Sequence, residues 1–209
     1  METKQTMIIV IAAVAVIACV AAAVVLMNGN HSDDPVGPVD PVFPDLNDNV
    51  ILIYFSATEV TDGVAKKIQD YLGCDIYRIE PVIPYTPEDL ERDNPDSRVS
   101  KEHADPSFRP AIAGEKIDLS KYSTIILGFP IWYHREPQII DSFLDIYDLS
   151  GLNIAPFCTS WSAGIAGALN RITTAEPNAH MEKSASFPSG FSEQDIYKWL
   201  DSVGFIPKN

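Results

Sequence analysis

From residue 50 to the end of the chain, short apolar runs alternate with longer stretches in which apolar residues recur every three or four positions. The apolar runs predict five strands, at residues 50–55, 74–80, 123–129, 153–159 and 180–187. The periodic stretches predict four helices, at residues 61–73, 137–147, 163–173 and 192–204. Thr61, Pro137 and Ser192 stand where a helix should begin, and Gly73 where the first helix should end. Strands that alternate with helices imply βαβ units, so we predict an α/β fold with a doubly wound parallel sheet.

Residues 81–119 interrupt this alternation. They contain six prolines and one short helix candidate, from Thr86 to about Arg92, with Pro87 directly after its cap. A loop of this length inside a compact domain is usually functional or folds over the domain as a flap.

The segment 7–27 has a different pattern, because it consists of 21 consecutive apolar residues without a charge. As a helix it is about 31 Å long, which matches a bilayer core of about 30 Å. We therefore predict a transmembrane anchor. Two alternatives stay open: a cleaved secretory signal, which residues 21–23, all alanine, permit, and a lipoprotein in which Cys19 of "VIAC" carries the lipid.

A short tail, residues 1–6, precedes this segment, and an acidic linker, residues 28–49, follows it. The linker holds four prolines, five aspartates and no lysine or arginine, a composition that favours an extended, self-repelling tether. Lys4 lies before the apolar segment, and the next lysine or arginine is Lys66. Since positive charge stays on the cytoplasmic side, we expect a single-pass membrane protein with a cytoplasmic N-terminus and the domain 50–209 outside.

The formal net charge of the chain is −14. Five of these negative charges lie in the linker, and Glu2 and Lys4 cancel, which leaves −9 for residues 50–209. Such a charge argues against a nucleic-acid partner and against adhesion to anionic lipid heads. It is typical of a solvated surface, and a docking face for a basic redox partner is the more specific interpretation. Outside the apolar segment only Cys74 and Cys158 remain, without the spacing of a metal site, so we predict no metal.

In open parallel sheets, ligands bind beyond the carboxyl ends of the strands, which here selects the loops after residues 55, 129 and 159. The first loop lies in "YFSATEVTDGVA" and carries the hydroxyls of Ser56, Thr58 and Thr61 at the start of a predicted helix. A helix N-terminus has unpaired amides and a partial positive charge, so it binds phosphate without lysine or arginine. The alternative is that these hydroxyls simply cap the helix and satisfy the turn.

Together the three loops resemble those of the flavodoxin-like family, in the branch with a long proline-rich insertion after the second strand. The sequence "IYFSATEVTDGVA" is similar to the first strand and phosphate loop, "LGFPIWYHREP" to the loop beside the flavin ring, and "PFCTSWSAGIAGAL" to the loop after the fourth strand. The insertion's "SRVSKEHADPSFRP", with Arg98, Glu102, Arg109 and Pro110, also resembles that branch. The resemblance covers about residues 50–205.

This resemblance implies a five-stranded parallel sheet in the order 2-1-3-4-5 and a bound FMN. The FMN-contacting residues that it implies all lie in the three loops: Ser56, Ala57, Thr58, Glu59, Val60, Thr61, Pro130, Ile131, Trp132, Tyr133, Thr159, Ser160, Trp161, Ser162 and Gly164. The aromatic side chains among them are expected either to sandwich the flavin ring or to pack under the insertion. His134 and Arg135 are expected either to steady a reduced, anionic flavin or to face the solvent.

The first loop departs from the family's pattern, because Glu59 replaces a glycine and Val60 an asparagine. In the third loop, Trp161 and Ser162 stand where small residues are common. A carboxylate about 5 Å from a phosphate charge repels it by about 3 kcal/mol at an effective dielectric of about 20, and by under about 1 kcal/mol in bulk water. The effect of Glu59 therefore depends on where its side chain points. It must also strain the turn if that position needs a positive φ, or it could occupy the anion position itself.

Two functions of different classes follow. The first is a membrane-tethered FMN-binding protein that transfers electrons to a redox partner or reduces a small acceptor such as a quinone. The second is a flavodoxin-fold module that has lost FMN and serves as a binding or scaffold domain. The sequence shows no Ser/His/Asp or Cys/His constellation, so we assign no side chain a catalytic role.

Overall fold

The computed structural model describes residues 45–208, in which six strands form one sheet. The strands are β1 (Val50–Tyr54), β2 (Asp75–Arg78), β3 (Thr124–Pro130), β4 (Asn153–Ser160), β5 (His180–Met181) and β6 (Ala185–Pro188). The helices are α1 (Val60–Leu72), α2 (Arg98–Ala104), α3 (Gln138–Ile146), α4 (Ala166–Ala175) and α5 (Glu193–Val203), and a 3₁₀ turn covers Glu88–Leu90.

The sheet is parallel throughout, in the order β2-β1-β3-β4-β5, with β6 also paired to β4. The predicted order 2-1-3-4-5 is therefore confirmed. The predicted fifth strand, 180–187, is divided into β5 and β6. From the pair Ile154–Met181 to the pair Phe157–Ala185, β4 advances three residues and its neighbour four. One extra residue thus interrupts the ladder as a bulge.

The core lies on both faces of this sheet. In β1, Ile51 and Ile53 belong to the cluster that includes α3 and α4, whereas Leu52 and Tyr54 belong to the cluster that includes α1 and α5. A strand buried on both faces needs a continuous apolar run, which is the pattern that predicted β1.

The end of α1 and the start of α5 agree with the sequence, whereas the start of α1 does not. Helix α4 covers Ala166–Ala175 rather than residues 163–173, and Pro137 is the N-cap of α3 rather than a residue of its first turn. Gly73 ends α1 with φ 64°, and Ser192 caps α5 in a reciprocal capping box with Asp195. At α1 the N-cap is Glu59 rather than Thr61, so the predicted cap was wrong by two positions. Thr61 lies buried in the first turn instead.

The insertion 81–119 holds the 3₁₀ turn and α2. The turn, Glu88–Leu90, lies within the predicted helix candidate but is shorter, and the Thr86 hydroxyl accepts a hydrogen bond from the Asp89 amide. Helix α2 was not predicted, because it buries only Val99 and Glu102 and so lacks an apolar periodicity.

Both ends of the insertion are paired with each other. Pro81 and Ile112 form an antiparallel bridge, and the Val82 amide donates to the Ala111 carbonyl at 2.8 Å. The insertion therefore leaves and returns to the domain at one point beside the end of β2.

Between residues 45 and 208, no helix has the length and apolar character needed to cross a bilayer. The tail 1–6, the anchor 7–27 and almost all of the linker 28–49 lie outside the described residues, so these stay predictions.

Candidate functional site

A cleft of about 350 Å³ opens beyond the carboxyl ends of β1, β3, β4 and β6. Sites for small molecules usually measure about 300–1,000 Å³. The three predicted loops, the insertion and the segment after β6 all contribute to its lining: Thr58, Val60, Leu90, Arg92, Val99, Pro130, Ile131, Trp132, Thr159, Ser160, Trp161, Phe187, Pro188, Ser189 and Phe191. Among these described lining residues, only Arg92 has a charged side chain.

The first loop joins β1 to α1 and turns at Glu59. The backbone there has φ 62° and ψ 0°, a left-handed conformation that glycine adopts freely and that strains other residues by about 1 kcal/mol. The Glu59 carboxylate accepts two hydrogen bonds from Arg78, at 2.8 and 3.1 Å. Glu59 is not among the residues that line the cleft. The side chain is thus directed to the end of β2, and the strain predicted for this position is present.

The three hydroxyls of the first loop differ in their surroundings. Thr58 is exposed and lines the cleft. The Thr61 hydroxyl lies 2.8 Å from that of Thr159, so it joins the first loop to the third. Ser56 is buried, and its hydroxyl has no hydrogen-bond partner among the described residues. A buried polar group without a partner is unfavourable, so a hydrogen-bonding ligand at this loop would satisfy a group that the protein does not.

The second loop forms a tight hairpin in which Trp132 and Arg135 exchange both backbone hydrogen bonds. Trp132 lines the cleft and also packs edge-to-face against Phe55 and Tyr85, at centroid distances of 5.6 and 5.2 Å. It therefore packs under the insertion and also faces the cleft, where a ring could lie against it.

The two residues at the tip of this hairpin face away from the cleft. Tyr133 and His134 have φ 48° and 64°, as in a type I′ turn. Tyr133 stacks on His103 of α2 at 4.2 Å, which is the packing against the insertion expected as the alternative to a flavin contact. His134 is exposed, and its carbonyl oxygen lies against α4, where a Cβ on Gly167 would approach it to 2.4 Å.

Four charged side chains, Arg135, Glu136, Asp141 and Arg171, form what we call the second-loop cluster. Arg171 donates to Glu136 at 2.5 Å, and Arg135 donates to Asp141 at 2.5 Å. Burial raises the pKa of Glu136 to about 7, because the attraction of Arg171 does not outweigh the loss of water and the nearby Asp141 charge. Arg135 is held inside this cluster by Asp141, so the alternative expectation that its side chain faces the solvent was wrong.

The third loop follows β4. Trp161 lies at the rim of the cleft with 85% of its surface exposed. Ser160 donates a hydrogen bond to the Ala163 carbonyl at 2.5 Å, which closes the turn that contains Ser162.

The structure brings eight of the fifteen predicted FMN-contacting residues together around the cleft: Thr58, Val60, Pro130, Ile131, Trp132, Thr159, Ser160 and Trp161. The other seven lie in the same loops but outside the lining: Ser56, Ala57, Glu59, Thr61, Tyr133, Ser162 and Gly164. The prediction missed Leu90, Arg92 and Val99 of the insertion, for which the sequence carries no signal. It also missed Phe187, Pro188, Ser189 and Phe191, although the rule that ligands bind at carboxyl ends applies to the fifth strand as well.

Sheet order and cleft position define a doubly wound α/β protein whose candidate site lies where the strand order reverses, between β1 and β3. The flavodoxin family model matches residues 49–203, and the chain therefore belongs to the flavodoxin family. A candidate flavoprotein from Bacteroides eggerthii is 34% identical, with a TM-score of 0.68 over 74% of this chain and 97% of its own. A candidate flavoprotein from Bacteroides uniformis is 33% identical, with a TM-score of 0.70 over 74% of this chain and 98% of its own.

A more distant structure shows the same fold. The flavoprotein of Lactobacillus acidophilus, solved in complex with FMN, is 16% identical, with a TM-score of 0.55 over 73% of this chain and 98% of that one. The comparison with curated proteins found no match.

Proposed function

We propose that this protein binds FMN in the cleft and transfers electrons, either to a redox partner or to a small acceptor such as a quinone. The observation that carries the proposal is the first loop, where the buried Ser56 hydroxyl has no partner within residues 45–208 and Glu59 is turned onto Arg78. Membership of the flavodoxin family and the FMN complex of the Lactobacillus acidophilus protein support the choice of flavin. FMN, when bound, supplies the electron-transfer chemistry.

In this proposal the first loop holds the phosphate. Ser56 and Thr58 provide hydroxyl donors, and the amides at the start of α1 provide further donors together with the positive end of the helix dipole. Thr61 has a different role, because its hydroxyl bonds to Thr159 and so fixes the distance between two loops.

The aromatic residues hold the flavin ring. Trp132 is fixed in place by Phe55 and Tyr85, so it offers a preformed surface. Trp161 is largely exposed. A flavin ring that packs against it removes apolar surface of the indole from water, which favours binding. Neither indole moves a proton, and the chain's own contribution is to bind, orient and shield the flavin.

We further propose that the domain works at the outer face of a membrane, tethered by residues 7–27 and 28–49. The support is in the sequence: an uncharged apolar segment of bilayer length, followed by an acidic linker. The net charge of −9 on residues 50–209 favours a basic redox partner over a nucleic acid.

The competing function is a flavin-free scaffold module. Glu59 was the main argument for it, and the ion pair with Arg78 weakens that argument because the carboxylate is not directed into the cleft. The FMN titration distinguishes the scaffold function from flavin binding.

The test uses the full-length chain, purified in detergent and titrated with FMN. We expect flavin absorbance or, after removal of flavin, quenching of tryptophan fluorescence on FMN addition. Trp161→Ala should weaken binding by about tenfold, because it removes a ring contact. Trp199→Phe is the matched control, since Trp199 packs in α5 on Phe157 and Phe187 and is not among the cleft residues. A folded protein that binds no FMN at concentrations up to about 1 mM would favour the scaffold function.

A further inference from the structure

The side chain of Arg78 joins both ends of the first loop. Arg78 is the last residue of β2 and is paired with Tyr54, the last residue of β1. Its Nη2 donates to the Ser56 carbonyl at 3.0 Å, where the loop begins. The same nitrogen and Nη1 donate to the two carboxylate oxygens of Glu59, at 2.8 and 3.1 Å, where the loop ends at the N-cap of α1.

The contact with Glu59 is bidentate, so it uses both oxygens of the carboxylate. Fork-to-fork contacts of this kind add geometric specificity to the charge attraction. Glu59 occupies the N-cap, yet its side chain makes no capping hydrogen bond to α1 among the described residues. The carboxylate therefore does not take the amides at the helix start, which is the position that it could have occupied as an internal anion.

A second carboxylate lies close by and is also neutralised. Asp62 is buried in the first turn of α1, where it accepts a hydrogen bond from Tyr54 at 2.6 Å and pairs with Lys66 at 2.6 Å. The Nη1 of Arg78 that donates to Glu59 also lies 3.5 Å from Asp62, and its Nε lies 2.8 Å from the Glu80 carboxylate, so Arg78 contacts three carboxylates. Without Arg78, the loop would present one unpaired carboxylate and one partly paired carboxylate to an incoming phosphate.

We propose that Arg78 is a positioning residue of the phosphate site, which holds the Glu59 carboxylate away from the helix start and cancels its charge. This inference rests on the proposed FMN function and explains how a chain with glutamate in the phosphate loop keeps an anion site. Arg78 acts through Glu59 and does not itself bind the phosphate. The family's usual glycine needs no such partner, so the site depends on Arg78 only as long as Glu59 is present.

The pair is tested with four forms of the full-length protein in detergent: wild type, Arg78→Met, Glu59→Gln and the double variant. Each is titrated with FMN and with riboflavin, which lacks the phosphate. We expect Arg78→Met to weaken FMN binding about tenfold to a hundredfold, the range for one unpaired charge near the site, with riboflavin affected less than about threefold. Glu59→Gln should bind FMN more tightly than wild type, because it removes the negative charge beside the helix start, while Arg78 keeps its contacts with Glu80 and Asp62. The double variant should return to within about threefold of wild type.

Other outcomes overturn the proposal in distinguishable ways. If Arg78→Met weakens FMN and riboflavin equally, Arg78 only supports the loop. If Arg78→Met weakens the binding of FMN but not of riboflavin, and the double variant does not restore FMN binding, Arg78 contacts the phosphate directly. If wild type binds no FMN but Glu59→Gln does, Arg78 fails to neutralise the carboxylate, while the flavin site itself stands. If neither binds FMN or riboflavin, the proposed function fails, and this inference with it.

Discussion

Two groups of charged side chains lie beside the candidate site, and they differ in depth. At the first loop, Arg78 and Glu59 form a pair near the surface, in which the Glu59 side chain is 63% exposed and that of Arg78 29%. In the second-loop cluster the Glu136 side chain is fully buried, and Arg171 reaches it from a partly exposed position. The same two residue types thus form a solvated pair in one loop and a desolvated network in the other.

Because the two groups differ in burial, they contribute differently to the stability of the fold. An exposed ion pair contributes about 0–1 kcal/mol to stability, so the pair at the first loop adjusts local charge without supporting the fold. Removing one partner of a buried pair leaves an uncompensated charge and destabilises by about 3–5 kcal/mol. We therefore assign the first-loop pair to ligand binding and the second-loop cluster to holding the hairpin of the second loop in place.

The largest expected effect comes from removing one arginine at each place. Arg171→Met should lower the free energy of unfolding by about 3 kcal/mol, the low end of the range because Arg171 is 41% exposed. Arg78→Met, the matched variant at the first loop, should lower it by about 1 kcal/mol or less. Urea denaturation of the flavin-free protein near neutral pH measures both. Equal losses would show that depth does not distinguish the two groups.

The next effect is a dependence of stability on pH, with opposite signs at the two places. The pKa of Glu136 is about 7 in the folded protein, against an ordinary value of 4.5. Between these values the native state binds more protons than the unfolded chain, so stability falls as pH rises from about 4.5 to about 7, by on the order of 2 kcal/mol from this group. Urea denaturation of Glu136→Gln at several pH values should give a flatter profile across that interval.

Asp62 provides the opposite case at the first loop. Burial acts against its charge, but hydrogen bonds from Lys66 and Tyr54 hold the pKa of Asp62 below its ordinary value. Its stabilisation is present at neutral pH and is lost as pH falls through the folded pKa. Asp62→Asn should therefore reduce the loss of stability at acid pH. Glu136→Gln, by contrast, should change the dependence of stability on pH at higher pH.

One glycine in α4 and one in α1 differ in the space around them. Gly167 in α4 packs so closely on the His134 carbonyl that an added Cβ would lie 2.4 Å from its oxygen. Gly167→Ala should destabilise by about 1.5 kcal/mol and shift the hairpin, because backbone must move. Gly63 in α1 has nothing within 4 Å of such a Cβ, so Gly63→Ala should stabilise by about 0.5–1 kcal/mol. Thermal unfolding of both variants measures the contrast, and a stabilising Gly167→Ala would contradict the close contact.

The smallest expected effect is at Glu59 itself. Glu59→Gly should relieve about 1 kcal/mol of left-handed strain and lose a pair of under about 1 kcal/mol, for a net gain of about 0.5 kcal/mol. Glu59→Ala loses the pair and keeps the strain, so it should be less stable than both wild type and Glu59→Gly. Urea midpoints under identical conditions rank the three, and a Glu59→Gly variant less stable than Glu59→Ala would refute the strain.

The sequence predicted the sheet well because strands buried on both faces must be continuously apolar, a pattern that β1, β3 and β4 all show. It predicted the loops at the site because topology alone places carboxyl ends together. It failed where structure depends on contacts between distant residues. Helix α2 has no periodicity of its own. The N-cap of α1 is Glu59, and Thr61, the predicted cap, instead bonds to Thr159, nearly 100 positions away.

The direction of Glu59 is the clearest example of what one sequence leaves open. Its partner, Arg78, stands 19 positions later at the end of a strand that pairs with β1. The parallel register that pairs Tyr54 with Arg78 brings Arg78 close to Glu59. Neither residue by itself indicates this register. The charge pattern along the chain therefore predicted that Glu59 would oppose phosphate binding. Strand pairing in the sheet places Arg78 beside Glu59 as its counter-ion.

The bridge between Pro81 and Ile112 makes the insertion a cassette. Its two ends are fastened to each other, so a change in its length alters a closed loop, and doubling such a loop raises its closure entropy by only about 0.6 kcal/mol. Such changes reach the cleft, because Leu90, Arg92 and Val99 come from within the cassette. They also reach the second loop, where Tyr85 and His103 of the cassette pack on Trp132 and Tyr133. Exchanging this segment between relatives is thus a route to reshaping the mouth of the cleft together with the second loop.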